Sequence, residues 1–158
     1  MKYIIIRGPL GIGKSTIAKG LANKLNAKYI SIDSIVDNPN LITRKMEEGY
    51  ISQNNFLKAN KLAIKESEDE NLIVLDGNFY WKSVIKDIEN KLKEGFIFTL
   101  KAPLEICMER NNHREKPYSE IAVKEVYKKS TEFDYGKVIN TENKTAEEVI
   151  EEIMNELK

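Results

Sequence analysis

The stretch "KYIIIRGPLGIGKST", residues 2–16, decides the fold. Its first half is an apolar run from Tyr3 to Ile6 without polar alternation, the pattern of a strand covered on both faces. The run breaks at a turn containing Gly8, Gly11 and Gly13, with Lys14, Ser15 and Thr16 directly behind. Gly8 to Ser15 matches G-x-x-x-x-G-K-[ST]. A loop that wraps a polyphosphate turns its backbone N–H groups inward, which forces dihedrals that glycine tolerates best. Ile17, Leu21 and Leu25 follow at helical spacing, so a helix over 14–26 begins where the loop ends. Its unpaired N–H groups and positive dipole end then face the bound anion. Gly8, Gly11, Ile12 and Gly13 are the expected cradle for a nucleotide's phosphates, Lys14 the cation between the β and γ groups, and Ser15 the hydroxyl that ligates Mg²⁺. Thr16 either touches the α-phosphate or serves only as a cap or solvent-facing residue.

The pattern continues outward as strands alternating with helices. Residues 28–32, 71–75, 96–100 and 137–140 read as further strands, and 80–92, 120–130 and the last segment as helices. Pro103 suits the first turn of a helix. Thr145 and Glu148 have capping-box spacing ahead of Ile150, Ile153 and Leu157. Residues 34–66 read as mostly helical, with breaks near 37–40 and near Gly49. This alternation predicts a three-layer α/β domain, parallel strands joined by right-handed crossovers, with one domain over residues 1–158.

Two carboxylates stand at predicted strand ends, the edge where open α/β sheets bind ligands. Asp76 follows four apolar residues in "LIVLDGNFY" and is a second hold on Mg²⁺, directly or through water; without the upstream loop it reads as an ordinary turn residue. Asp33, in "YISIDS", either accepts or orients the proton of an acceptor hydroxyl, or caps a helix starting near Ser34. Arginine is scarce: Arg7, Arg44, Arg110 and Arg114 are set against a majority of lysines. Arg110 and Arg114 stand four apart, which on a continuous helix puts both on one face. They enter the polar break 111–119, a short lid that would close over phosphate charge; the plainer reading is two solvated arginines at a helix end. His113, between them, receives no role.

Zero net charge, from 25 basic and 25 acidic residues, argues against a long nucleic acid as partner, although oligonucleotide ends stay open. The lone Cys107 reads as a buried structural thiol and fits a reducing, cytoplasmic setting. No signal peptide is recognisable, and no apolar run approaches the ~18–20 residues that span a bilayer. Oligomeric state is not legible.

In their order along the chain, "GPLGIGKST", "SIDS", "VLDGNF" and "ERNNHRE" resemble the small P-loop kinases related to adenylate, shikimate and gluconate kinases. The resemblance is nearest to the subset with chloramphenicol phosphotransferase, zeta-toxin-like kinases and the kinase domain of polynucleotide kinase. It implies a five-stranded parallel sheet of order 2-3-1-4-5, ATP with Mg²⁺, and γ-phosphoryl transfer. It further implies Lys14 and Ser15 on phosphates and metal, Asp33 as base or orienting acid, Asp76 as the strand-end acid, and Arg110 and Arg114 in the lid. Arg110 and Asn143, in "VINTENKTAEEV", would also border the nucleotide. Asn78 and Phe79 would face the acceptor, and 34–66 would supply the acceptor pocket, with Arg44, Tyr50, Gln53 and Trp81 as candidate contacts; Tyr50 and Trp81 read equally as half-buried packing residues, the commoner fate of such side chains. The many arginines that hold an acceptor phosphate in nucleoside-monophosphate kinases are absent, which favours a hydroxyl acceptor such as a nucleoside, sugar or similar metabolite. The alternatives are a nucleotide kinase using Arg44 and lysines, and an ATP-binding regulatory module with weak ATPase activity.

Overall fold

The computed structural model describes residues 2–158. Five strands form one parallel sheet: β1 (Lys2–Arg7), β2 (Lys28–Ser31), β5 (Leu72–Gly77), β6 (Gly95–Lys101) and β7 (Lys137–Asn140). Their spatial order is β2-β5-β1-β6-β7, which in terms of these five is 2-3-1-4-5, as the resemblance implied. The helices are α1 (Lys14–Leu25), α2 (Ile32–Asp37), α3 (Gln53–Glu66), α4 (Lys82–Leu92), α5 (Leu104–Asn112), α6 (Glu120–Ser130) and α7 (Ala146–Glu156).

The central strand shows why three layers form. Tyr3 and Ile5 point to one face of the sheet, into a core with Ile35, Phe56, Ala59 and Ile85 from α2, α3 and α4. Ile4 and Ile6 point to the other, into a core with Ile17, Leu21, Cys107 and Ile150 from α1, α5 and α7. Both side-chain sets are buried, so the strand has no reason to alternate polar and apolar residues. Burial also pushes the Cys107 thiol up to about 11, which keeps it protonated and inert. The capping box at the start of α7 is complete: Glu148 N–H donates to Thr145 Oγ1 at 3.2 Å, and Thr145 N–H donates to Glu148 Oε2 at 2.6 Å.

Residues 34–66 depart from the helical expectation. Between α2 and α3 the chain forms a small antiparallel hairpin, β3 (Met46–Glu47) and β4 (Tyr50–Ile51). Glu48 and Gly49 both take positive φ, 53° and 83°, the backbone that suits a two-residue hairpin turn. Two-residue strands are too short to show alternation in the sequence.

The register fixes where the chemistry gathers. Ile6 and Ser31 both pair with Asp76, and Arg7 pairs with Gly77, so the carboxyl ends of β2, β5 and β1 lie side by side. Arg7 is wholly buried at the root of the glycine loop. Its guanidinium donates to Thr99 Oγ1 at 3.1 Å, to the Phe133 carbonyl at 3.1 Å and to the Ser130 carbonyl at 2.7 Å, and lies over the Phe133 ring. Burial lowers its pKa to about 10, against the opposing pull of Asp134. The loop's root is thereby tied to the segment that follows α6.

Gly11 and Gly13 do different work. Gly11 has φ 80°, and a Cβ there would stand 2.2 Å from the Cys107 carbonyl oxygen; Gly13 has φ 94° with open space around it. Left-handed backbone costs a non-glycine residue roughly 1–2 kcal/mol, and the Gly11 clash adds to that. Gly11→Ala is therefore expected to lower stability in urea unfolding clearly more than Gly13→Ala. Equal losses would show that the loop does not rest on α5.

Candidate active site

The loop 8–13 delivers the chain into α1 with Gly13 as its N-cap, and no side chain caps the helix. The donors of the first turn are therefore left for something other than protein side chains. Lys14 is buried, with Nζ donating to the Pro9 carbonyl at 3.3 Å and lying 3.9 Å from Asp33 Oδ2. Ser15 and Thr16 are exposed beside it. These residues fit a Mg²⁺-bound nucleotide: a concave run of backbone donors, one ammonium group and an exposed hydroxyl.

Asp33 does not cap its helix. Ser31 does, its Oγ accepting from the Ser34 N–H at 3.2 Å. Asp33 sits within the first turn of α2, and both of its carboxylate oxygens accept from the Asn78 N–H at 3.1 Å. Gly77 makes this approach feasible, since a Cβ there would lie 3.3 Å from Asp33 Oδ1. Burial pushes the Asp33 carboxyl up to about 6; Lys14 and the Asn78 amide pull it down, while Asp76 and Asp37 raise it further. The side chain is still 22% exposed, toward a cavity, and so is reachable by a second molecule.

Asp76 is 1% exposed and accepts a hydrogen bond on Oδ2 from the Tyr29 hydroxyl at 2.6 Å. Burial first, and then that bond, hold the Tyr29 phenol well above its usual pKa, so it remains a donor. Tyr29 escaped the sequence analysis because only the pairing of β2 with β5 brings it to Asp76.

Two cavities flank the glycine loop. One, of about 180 Å³, is bordered by Ile12, Gly13, Thr16, Arg110, Thr141 and Lys144. Asn143, at φ 58°, lies in an adjoining depression with Arg110 and His113. The other, of about 300 Å³, opens beside Asp33 and Asn78 and carries Arg44, Tyr50, Tyr80 and Glu125 on its walls.

The two lid arginines part company. α5 ends at Asn112, so Arg114 lies past the helix and stacks on Tyr118 at 4.9 Å from the ring centre. Arg110 turns to the opposite side. One of its nitrogens donates to the Ile12 carbonyl and to Thr141 Oγ1, each at 3.0 Å, and the other to the Thr141 carbonyl at 3.0 Å. Its fork braces the phosphate loop against the end of β7, where the lid expectation had it free. Asn78 and Phe79 also separate. Asn78 lines the larger cavity, whereas Phe79 takes φ 43°, unusual for a bulky residue, and buries its ring in the core. Of the remaining acceptor candidates, Arg44 and Tyr50 line the cavity. Gln53 bonds Glu47 and Ser83, and the Trp81 indole N–H donates to the Ile51 carbonyl at 2.8 Å.

A family model described as "AAA domain" matches residues 4–154. A protein of Methanocaldococcus jannaschii named "Putative adenylate kinase" is 30% identical over 160 residues, covering 98% of this chain and 85% of the relative. A shikimate kinase of Caldanaerobacter subterraneus is 29% identical over 170 residues, covering 98% and 95%. The crystal structure of a gluconokinase from Sinorhizobium meliloti 1021 superposes with a TM-score of 0.74 at 18% identity, covering 99% of this chain and 95% of that one, a likeness of fold.

The elevated Asp33 pKa has a sign that can be checked. A carboxyl whose folded pKa lies above its unfolded value of 3.8 favours the fold while protonated, and that contribution is lost as pH rises through about 6. Asp33→Asn is expected to melt higher than the parent above pH 6, by about 1–3 kcal/mol of stability. The gap should close as pH falls from about 6 toward 4. A less stable variant across that range would contradict the burial account.

Proposed function

The chain belongs to this AAA-domain family of P-loop proteins, its relatives include proteins named as adenylate and shikimate kinases, and from that premise we propose that it moves the γ-phosphoryl group of ATP to a hydroxyl of a small molecule. The observation that carries the reading is the position of Asp33. Its carboxylate lies 3.9 Å from the phosphate-loop ammonium of Lys14, and it lines the wall of the larger cavity.

We assign ATP to the Gly8–Ser15 loop, with Thr16, Arg110 and Asn143 bordering the nucleotide. Mg²⁺ falls to Ser15 and Asp76. Bound there, ATP–Mg²⁺ supplies the transferable phosphoryl group and neutralises charge that develops on its oxygens. The chain's residues do the rest. The loop amides and Lys14 hold the phosphates and stabilise the charge of transfer. Tyr29, donating to Asp76 Oδ2, fixes that carboxylate. Asp33, deprotonated above about pH 6, takes up or orients the proton of an acceptor hydroxyl seated in the larger cavity. Arg114, at the rim, is the guanidinium left for phosphate oxygens, since the donors of Arg110 are committed to the loop and Thr141. A nucleoside-monophosphate acceptor has the Methanocaldococcus relative in its favour, but Arg44 is already bound to Asp37 at 2.6 Å. A single domain working in the cytoplasm completes the proposal.

Three outcomes follow for transfer measured with an acceptor in hand. Lys14→Ala lowers turnover by roughly 10²–10³-fold or more. Asp33→Asn keeps ATP binding within about twofold by calorimetry but removes transfer, and the parent kcat/KM rises with unit slope through about pH 6. Transfer retained in Asp33→Asn would remove Asp33 from the chemistry. Tyr29→Phe raises the Mg²⁺ concentration for half-maximal rate by about tenfold; an unchanged requirement would detach Tyr29 from the metal.

A further inference from the structure

The larger cavity has a composition that the hydroxyl-acceptor reading alone does not use. Its walls carry three aromatic rings with phenol groups, Tyr50, Tyr80 and Tyr118. Tyr50 and Tyr80 lie 5.6 Å apart between ring centres at 58°, two faces of one apolar recess. Apolar side chains continue to the rim, where Met46 is 59% exposed. A flat or carbocyclic body is the natural fit to such walls.

The polar groups on the same walls accept more than they donate. Asp33, Asp37 and Glu125 contribute three carboxylates, against the single guanidinium of Arg44. That guanidinium is spoken for, with its NH2 nitrogen 2.6 Å from Asp37 Oδ1. The neighbouring cations are engaged as well. Lys14 belongs to the phosphate loop, Lys129 sits over the Trp81 and Tyr50 rings and pairs with Glu132 at 3.4 Å, and Arg114, over Tyr118, is assigned above to the phosphates of the nucleotide. Glu125 makes no ion pair among the described residues; its polar partner is the Tyr50 hydroxyl, at 3.3 Å. Asn78 adds an independent sign. It is 9% exposed, it lines the cavity, and its Oδ1 is buried without a hydrogen-bond partner. A buried acceptor left unpaired is costly, and a donor from a bound molecule would relieve it.

We propose that the phosphoryl acceptor is an organic cation, an ammonium-bearing alcohol with a flat or carbocyclic body, whose ammonium group faces Glu125 beside the Tyr50 hydroxyl while its hydroxyl faces Asp33. The proposal rests on the kinase reading above and narrows its substrate class. Glu125 supplies the charge partner; Tyr50 and Tyr118, whose rings already have Lys129 and Arg114 over them, supply apolar wall for the body of the molecule. Asn78 Oδ1 accepts an N–H or O–H from the same molecule. A carboxylate or phosphate acceptor would instead meet the unpaired Glu125 carboxylate, with Arg44 and Asp37 neutralising each other and Lys14 held between the phosphate loop and Asp33.

The test uses three matched probes of similar size: phenylalaninol, with an ammonium and a hydroxyl; N-acetylphenylalaninol, neutral; and 3-phenyllactate, with a carboxylate and a hydroxyl. Each is titrated calorimetrically into the full chain with Mg²⁺ and a non-hydrolysable ATP analogue near neutral pH, and each is then offered with ATP. Phenylalaninol is expected to bind about tenfold or more tighter than the other two. Glu125→Gln should erase that advantage while binding the ATP analogue as the parent does and keeping its melting temperature. Tightest binding by phenyllactate, an advantage that survives Glu125→Gln, or no binding by phenylalaninol overturns the proposal. Preferential phenylalaninol binding with no ATP consumed would sink the kinase reading and leave the charge preference standing. Consumption with phenyllactate alone would do the reverse.

Discussion

The first turn of α1 has backbone donors and no side chain to satisfy them. Gly13, the N-cap, contributes only a left-handed bend, and Lys14 behind it is buried with a carbonyl for a neighbour and a carboxylate 3.9 Å away. That unsatisfied helix end explains the glycines, because only a backbone at φ 80° and 94° brings the loop round to it. It also explains the packing behind the loop. Gly11 rests on α5 at a distance no Cβ allows, the Arg110 fork ties Ile12 to Thr141, and buried Arg7 fastens the loop's root to the end of α6 and the segment after it. A donor-rich loop held from three sides cannot relax onto its own residues, so it stays open to an anion.

The sheet order turns this loop into a site. With β5 and β2 next to β1, the strand ends present Asp76 and Asp33 beside the helix end, and each carboxylate is fixed by a neighbour rather than by solvent. Asp76 is held by the Tyr29 hydroxyl, and Asp33 by the Asn78 amide. Their environments differ in a useful way. Burial leaves Asp33 close to the neutral range, on the edge of a cavity, whereas Asp76 is wholly enclosed. Two acids with separate settings suit the two tasks proposed for them, proton handling at the acceptor and support for the metal.

Much of this was legible in the sequence because it is local. The strand ahead of Gly8, the helix behind Gly13 and the capping box at Thr145 each rest on residues within a few positions of one another. The resemblance supplied the strand order, which no periodicity encodes. Failures came where spacing had to stand in for direction. Arg110 and Arg114 share a face only if the helix runs through both, and α5 stops at Asn112. Asn78 and Phe79 are adjacent in the chain, yet the positive φ at Phe79 sends its ring into the core while Asn78 stays at the cavity. The hairpin at Glu48–Gly49 was hidden by strands of two residues. Tyr29, Thr141 and Glu125 were invisible for another reason: their partners lie dozens of residues away in the chain.

A crystal structure with Mg²⁺ and a non-hydrolysable ATP analogue tests the central claim most directly. The account places the β- and γ-phosphates against the amides of Gly11 to Ser15 with Lys14 Nζ on their oxygens, the metal between Ser15 and Asp76, and the γ-phosphate turned toward Asp33. Phosphates bound elsewhere, or a γ-phosphate directed away from the cavity that Asp33 borders, would contradict it.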